Sequence, residues 1–525
     1  MPVRSLLKPH LYMDSVALMR VAELLSGTPG IRAASLMMGT PANKEILAAA
    51  GRLAEAVRSA APDDLMIVLE ANTPEALEAG LAEAERLLAG RGEQAGAGAP
   101  PDQPPRSLAA ALARLQGASL VQISTPGAYA GAEALKALRR GLHVFLFSDN
   151  VPLDQEVHCK RVAQRKGLLV MGPDCGTAII GGVALGFANV VRRGGIGIVG
   201  ASGTGLQQVT SLVHRLGEGV SHAIGTGSRD LTDAVGGVTT RQAFALLRAD
   251  AATRVVVLLS KPPSPGVAAR LLEQAEGFGK PLVVLFLGAD PARVRAAGAV
   301  PATTLDEAAR AAVALARGAP VAAPQEAPDA GEAGRAALRQ LAPSQRYIRG
   351  LFSGGTFCAE AQVVWRQAGL ASFSNAPLDP ASRLADARLS REHTAVDLGS
   401  DEFTVGRPHP MIDFRTRAER LVREAQDPTA AVILLDVVLG FGAHADPAAA
   451  LLPAIAEARA VAGRDGRHLA LVASVCGTEE DPQRLSAQEA RLREAGVLLA
   501  DSNAAASRLA AWIATRGSGQ REGSA

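Results

Sequence analysis

Two short loops carry the residue types that bind anions. The first reads Gly200, Ala201, Ser202, Gly203, Thr204, Gly205 and follows an apolar run; the second reads Ser353, Gly354, Gly355, Thr356 and follows another. Each opens a helical pattern. Glycine lets a backbone approach a ligand, hydroxyls add donors, and the first turn of a helix presents unpaired N–H groups with partial positive charge. That combination suits phosphate. A single copy reads better as a tight strand-to-helix turn with a Ser or Thr cap. Two copies at equivalent places favour an anion site, with Ser202, Gly203, Thr204, Gly205, Ser353, Gly354, Gly355 and Thr356 as its phosphate-binding residues. Neither loop continues into Gly-Lys-Ser/Thr, which argues against a nucleoside triphosphate.

A second constellation is polar. His393, Asp397, Gly399, Asp401 and Glu402 are followed by Arg407, His409 and Asp413, where the equivalent earlier segment is only Gly225–Asp230 with Arg229. A guanidinium fork suits a carboxylate, and imidazole moves protons near neutral pH. Arg229, Asp397 and Arg407 are therefore candidates for holding a substrate carboxylate or carbamoyl group, and His393 and His409 for proton transfer. A solvated interface loop is the plainer alternative. The histidine spacing matches no zinc pattern, so no metal is expected. The loops Ser124-Thr125-Pro126 and Gly172-Pro173-Asp174 each end an apolar run, at the edge where parallel sheets bind ligands, and are candidates for cofactor binding. A simple Gly-Pro chain turn explains the second equally well.

The elements that must position these loops occur twice. Asp250 precedes an apolar run ending at Leu259, as Asp427 precedes one ending at Leu435; Pro281–Gly288 parallels Leu469–Gly477; and the segment from Ala297 parallels that from Ala495. Such a duplication restricts the fold strongly. Near-continuous apolar strands alternating with helices imply parallel sheets covered on both faces. The expected organisation is a small N-terminal α/β domain at 1–90, a linker at 91–107, a parallel α/β domain at 108–193, the first repeat unit at 194–318, a linker at 319–342, the second repeat unit at 343–516 and a disordered tail at 517–525. The fold class is α/β, with several parallel-sheet domains, the last two flavodoxin-like.

Composition removes several functions. With 54 Lys and Arg against 52 Asp and Glu, the formal charge is +2, and aromatic residues make up 3%. Nucleic-acid binding needs a basic surface with stacking groups, so it is not expected. No apolar run is long enough to span a membrane, and the first residues lack the apolar core of a signal peptide. Four cysteines without a CxxC pair read as a reduced, cytoplasmic protein.

The run from Val121 to about Leu315 resembles the α subunit of succinyl-CoA synthetase. It has a small-Pro-small loop (Ser124, Thr125, Pro126, Gly127), a Gly-Pro loop (Gly172, Pro173, Asp174) and Ile196–Thr204 opening a new domain. The second unit resembles that enzyme's β-subunit ligase domain, including an Asp-Leu-Gly turn at Asp397–Gly399, so the resemblance implies a CoA-binding-like Rossmann domain at 108–193 and ligase-type domains at 194–318 and 343–516. The whole order, with Met38–Glu45 near the start and Phe352–Ala361 later, is similar to the FdrA family. The departures matter. The family's phosphohistidine loop is replaced by Phe286–Asp290, so no phosphohistidine is expected; no ATP-grasp domain is present; and the Gly-rich opening of the CoA-binding domain is replaced, which leaves CoA open as a ligand. No covalently bound cofactor is expected. The resemblance implies a subunit of an oxamate carbamoyltransferase in purine or allantoin breakdown, interconverting oxalurate plus phosphate with oxamate plus carbamoyl phosphate. It would work in a hetero-oligomer with other catabolic subunits. An acyl-CoA synthetase using a separate ATP-grasp subunit is the alternative, and a non-catalytic scaffold the third.

Overall fold

A computed structural model describes residues 2–11, 13, 15–49, 51–89, 105–323, 330–404 and 407–519. Most of the expected linker at 91–107, the centre of that at 319–342 and the end of the tail at 517–525 lie outside the described residues. The chain forms two compact units, one of residues 1–168 with 404–413, the other of residues 169–403 with 414–525.

The first unit opens with a three-stranded sheet. Leu65–Ala71 lies between Val3–Lys8 and Ile31–Met38 and pairs antiparallel with both. The alternation of strands and helices here therefore produces a split βαβ arrangement and not a parallel sheet. Leu65, Ile67 and Leu69 face one core with Leu25 and Leu36; Met66 and Val68 face another with Leu47 and Val57. That two-sided burial explains why the central strand is apolar at every position. Further along, Leu120–Ile123 pairs in parallel with His143–Leu146.

The second unit contains the duplication. One sheet runs Val300–Pro301, Leu282–Phe286, Val255–Ser260, Arg193–Gly200, Val220–Gly225, Thr177–Ile180, Val183–Gly186. The other runs Leu498–Ala500, Ala470–Cys476, Ala430–Val438, Tyr347–Phe352, His393–Asp397, Ser372–Ser374. Five strands correspond in order, all parallel. Even the entry turns correspond: Asp250 accepts the Thr253 hydroxyl at 2.6 Å, and Asp427 that of Thr429 at 2.7 Å. All nine residues of Ala430–Val438 are buried, as a strand covered by helices on both faces must be.

Three boundaries differ from expectation. The hairpin Thr177–Ile180/Val183–Gly186 joins the first sheet antiparallel, so residues before 194 complete that domain. The stretch read as a linker at 319–342 contains the helix Gly331–Gln340. Its Gly334 lies close to Leu509 and Trp512, so a small-residue face seats it on the C-terminal helix. That last helix, Asn503–Gly519, continues into residues read as tail. Gly- and Ala-rich composition hid the Gly331–Gln340 helix, because small residues bury a face without apolar bulk.

Candidate functional site

The two predicted loops meet. Arg193–Gly200 ends at Ser202, whose side chain caps the Gly203–Arg215 helix by accepting the Gly205 N–H at 2.9 Å. Tyr347–Phe352 ends at Gly354, the cap position of the Gly355–Gln367 helix. The Ser202 Oγ lies 2.5 Å from the Thr356 Oγ1. The mirror contact involves the equivalent pair with roles exchanged. A Cβ on Gly354 would stand 2.6 Å from Thr204 Cγ2 and 2.9 Å from Thr204 Oγ1. Each helix start thus packs its cap residue against the threonine in the first turn of the other. The glycine at 354 is a requirement of that approach.

This arrangement opposes two helix N-termini. Among the described residues, no acceptor takes the N–H groups of Gly203, Thr204, Gly355 or Thr356. Two positive helix ends pointing at each other repel unless negative charge neutralises them. A cation also stands there. Lys261 follows the Val255–Ser260 strand, and its Nζ lies 3.3 Å from where a Gly355 Cβ would be. Among the described residues that ammonium makes no hydrogen bond or ion pair, though its charge acts on Asp397.

Asp397 supplies a carboxyl at this place. Its Oδ1 accepts the Gly399 N–H at 3.0 Å, and its Oδ2 lies 2.7 Å from the Gly355 Cβ position. Burial pushes its carboxyl up to about 6, against the pull of Lys261 and the Gly399 N–H; Asp436 and Asp174 push it further up. A carboxylic acid near pH 6 beside an anion site can give or take a proton. Asp397, read from sequence as a substrate-binding residue, stands beside the Gly355 helix start and Lys261.

Other predicted residues are already committed. Ser353 is fully buried, and both its N–H, at 2.8 Å, and its hydroxyl go to the Asp436 carboxylate. The Arg417 guanidinium backs the same carboxylate at 3.6 Å. Ser353 therefore fixes the loop and does not face a ligand. The Gly205 N–H is likewise consumed by its cap. His393 stands at the opposite end of its strand from Asp397, about 13 Å away for four residues at ~3.3 Å each. Its Nδ1 accepts the Ile348 N–H at 3.2 Å, and its ring meets Tyr347 edge-on. Burial and Arg349 lower its pKa to about 4, so it stays neutral and structural. The expectation that His393 transfers a proton is corrected on that geometry.

Arg229 lies in the turn after Val220–Gly225, where its carbonyl accepts the Thr232 N–H at 3.1 Å. Arg407 and His409 belong to the segment that groups with the first unit; there the His409 Nδ1 accepts the Met411 N–H at 3.2 Å. Gly172 and Pro173 form a cis peptide, and the Pro173 carbonyl presses on Gly227. Asp174, read from sequence with Gly172 and Pro173 as cofactor-binding, adds negative charge near Asp397. In the first unit, the Thr125 carbonyl accepts the Ser148 hydroxyl at 2.5 Å.

Lys261 and Asp436 escaped the reading of the sequence. The signal for Asp436 was present: a lone carboxylate inside an unbroken apolar run needs a buried partner. Lys261 gave a weaker one, a lysine directly after a buried strand and before two prolines.

Comparison with known proteins follows this layout. Residues 351–513 match the CoA-ligase family, and residues 1–104 match the family described as AllF, heavy metal-associated domain. The chain is 41% identical over 507 residues to the uncharacterized protein YahF of Escherichia coli strain K12, covering 96% of this chain and 97% of that one. Among solved structures, the apo form of the dinucleotide-forming acetyl-coenzyme A synthetase 1 of Ca. Korarchaeum cryptofilum is similar at 13% identity. It covers 78% of this chain and 85% of that chain with a TM-score of 0.31. The ATP citrate lyase of Methanothrix soehngenii, in complex with citrate and coenzyme A, is similar at 16% identity. It covers 42% of this chain and 43% of that chain with a TM-score of 0.35.

Two groups implied by these names were tested against the residues. Soft metals call for thiolates, yet all four cysteines lie beyond residue 104 and are buried. Among the described residues of 1–104, His10, Asp63 and Asp64 converge. The His10 Nδ1 is 2.7 Å from Asp63, while Asp64 is taken by the N–H groups of His10 and Ala61 at 3.0 and 2.7 Å. These hard, occupied donors do not fit a heavy metal. For CoA, a phosphate cradle needs exposed N–H donors. At Gly127, which opens the Gly127–Arg139 helix, the neighbours are instead the carbonyl oxygens of Asp149 and Asn150. The Ser124–Pro126 loop does not fit CoA phosphates.

Proposed function

Given that this chain belongs to the family of YahF and carries a CoA-ligase domain over residues 351–513, we propose that it is a subunit of an acyl-phosphate-handling enzyme, an oxamate carbamoyltransferase of purine or allantoin breakdown. The observation that carries this reading is the meeting of the two helix starts through Ser202 and Thr356, beside the unpaired Lys261 ammonium. The match of the N-terminal residues to the AllF family is consistent with it.

In this reading phosphate occupies the anion site, held by the N–H groups of Gly203, Thr204, Gly355 and Thr356 and by Lys261. A phosphate oxygen attacks the carbamoyl carbon of oxalurate. The new C–O bond forms as the C–N bond breaks, and oxamate departs with its nitrogen taking a proton from the Asp397 carboxyl. Carbamoyl phosphate remains at the helix ends. Arg229 is proposed for the substrate carboxylate on residue type. The preorganised donors act on charge that grows in the transition state, where each is worth roughly 10²–10³ in rate. Partner subunits complete the enzyme.

The CoA-ligase match favours one second reading, an acyl-CoA ligase acting with a separate ATP-grasp subunit. Thermal denaturation of the purified chain with phosphate, carbamoyl phosphate, CoA and ATP separates the two. A ligand at a hundredfold excess over its Kd adds about 2.7 kcal/mol. Stabilisation by phosphate and carbamoyl phosphate, absent in Lys261→Gln, supports the transferase. Stabilisation by CoA alone overturns it.

A further inference from the structure

A cavity of about 280 Å³ lies in the second unit, beyond the Val255–Ser260 and Leu282–Phe286 strands. That is near the lower bound of small-molecule sites, ~300 Å³. Its walls are apolar: Pro262 and Pro263 on one side, Phe286 and Leu287 at the strand end, Leu272 from the Pro265–Ala275 helix, and Leu378. The Leu378 wall is fixed, because its N–H is held by the Gln362 side chain at 3.2 Å. A rigid apolar hollow of this kind lowers the entropy cost of binding.

Two guanidinium groups, Arg293 and Arg366, line the same cavity. Neither guanidinium has a hydrogen-bond or ion-pair partner among the described residues. Arg366 is brought in by Gly288, whose missing side chain leaves the Arg366 Nη2 only 3.1 Å from the Cβ position. Gly288 has φ +76°, so a larger residue there would be strained as well as obstructive. The one carboxylate of the lining, Asp290, does not neutralise them: its Oδ1 caps the next helix by accepting the Ala292 N–H at 2.8 Å. Two unpaired forks over an apolar floor ask for an anion attached to a hydrocarbon or ring.

We propose that this cavity is a second ligand site, for a small organic anion whose apolar body lies against Pro262, Pro263 and Phe286 and whose carboxylate or phosphate is held by Arg293 and Arg366. Its Pro262 wall directly follows Lys261 in the chain, but the proposal does not depend on the reaction assigned to the helix starts.

The test is calorimetric titration of the full chain with benzoate, phenyl phosphate and benzyl alcohol, three probes with a common body. One or both anions should bind with a Kd below about 1 mM, and benzyl alcohol should not. Benzoate alone or phenyl phosphate alone assigns the head group. Arg293→Ala with Arg366→Ala should weaken the anion at least tenfold, at unchanged melting temperature because both side chains are exposed. Ala289→Trp, which narrows the mouth, should weaken it too, while Lys261→Gln should not. Equal binding of benzyl alcohol, no binding by either anion, or undiminished binding in the double arginine variant overturns the proposal. Loss of anion binding in Lys261→Gln overturns it as well, since the probes would then be reading the helix-start site.

Discussion

The Ser202 Oγ and the Thr356 Oγ1 stand 2.5 Å apart, across 154 residues of sequence and at the starts of two different helices. Their symmetry mates, Gly354 and Thr204, make the same contact without a hydroxyl on the cap. The duplication visible in the chain is thus a working interface, and it is not symmetric in chemistry.

Removing both threonine hydroxyls should disable transfer with little loss of fold. Thr204→Ala combined with Thr356→Ala is expected to lower turnover by about 10²-fold or more. The melting temperature should fall by only a few degrees, since about 1 kcal/mol moves a large domain by ~2–4 °C. Steady-state rates of the reconstituted enzyme, with calorimetric melting of each variant, check both halves. Full retained activity would remove the anion-site assignment.

Gly354→Ala should be costly, because the new methyl meets Thr204 Cγ2 at 2.6 Å. Overpacking of this kind costs about 1–3 kcal/mol. Pairing it with Thr204→Ala removes the nearest atoms and should recover part of the loss. A double-mutant cycle in denaturant reads that coupling directly; strictly additive losses would mean the contact does not exist.

Asp397 makes a pH-dependent contribution with a definite sign. Burial raises its folded carboxyl to about 6, above the ordinary 3.8, so between those values the folded chain holds a proton that the unfolded chain has released. Its contribution is fully present below about 4 and lost as pH rises through about 6. Asp397→Asn should therefore flatten the decline in stability over that window, and should remove a limb near pH 6 from the rate profile. Parallel stability–pH curves for the two proteins would contradict the raised value.

Lys261→Gln should weaken phosphate binding by roughly 10–100-fold, the range for a charge-assisted hydrogen bond of ~1.5–3 kcal/mol. Lys261→Arg should restore part of it. Binding isotherms at two salt concentrations check this, with the wild-type chain showing the steeper salt dependence.

His393→Phe should behave in the opposite way. It leaves the Ile348 N–H without its acceptor and is expected to cost about 1–3 kcal/mol of stability. Turnover per folded molecule should not change. A rate loss exceeding the loss of folded protein would return His393 to the mechanism.

How much was legible follows from these residues. The α/β class and the equivalence of the two halves were written in repeated apolar runs, which strand burial demands. The loops at 200–205 and 353–356 were legible because glycine and hydroxyl residues between a strand and a helix have few other uses. Division of labour inside them was not. Ser353 and Ser202 look alike in sequence, but one faces Asp436 and the other Thr356, and only the placement of neighbouring strands decides which. His393 misled because residue type suggested chemistry, while its position at the start of a strand put it at the wrong edge. The antiparallel N-terminal sheet was hidden for a related reason: alternation of strand and helix does not say which strand is inserted between which.

Joining the two halves in one polypeptide has a further consequence. Where two separate chains would meet at their helix starts with a probability set by concentration, here the tether makes that encounter intramolecular, at an effective concentration that dilution cannot lower. It also frees each half to drift. Lys261 has no charged counterpart at the matching position, Val438, and Asp397 answers to Gly225. Each half could lose what the other kept, so the cation and the acid are inherited together, one from each copy, and neither half retains a complete set of its own.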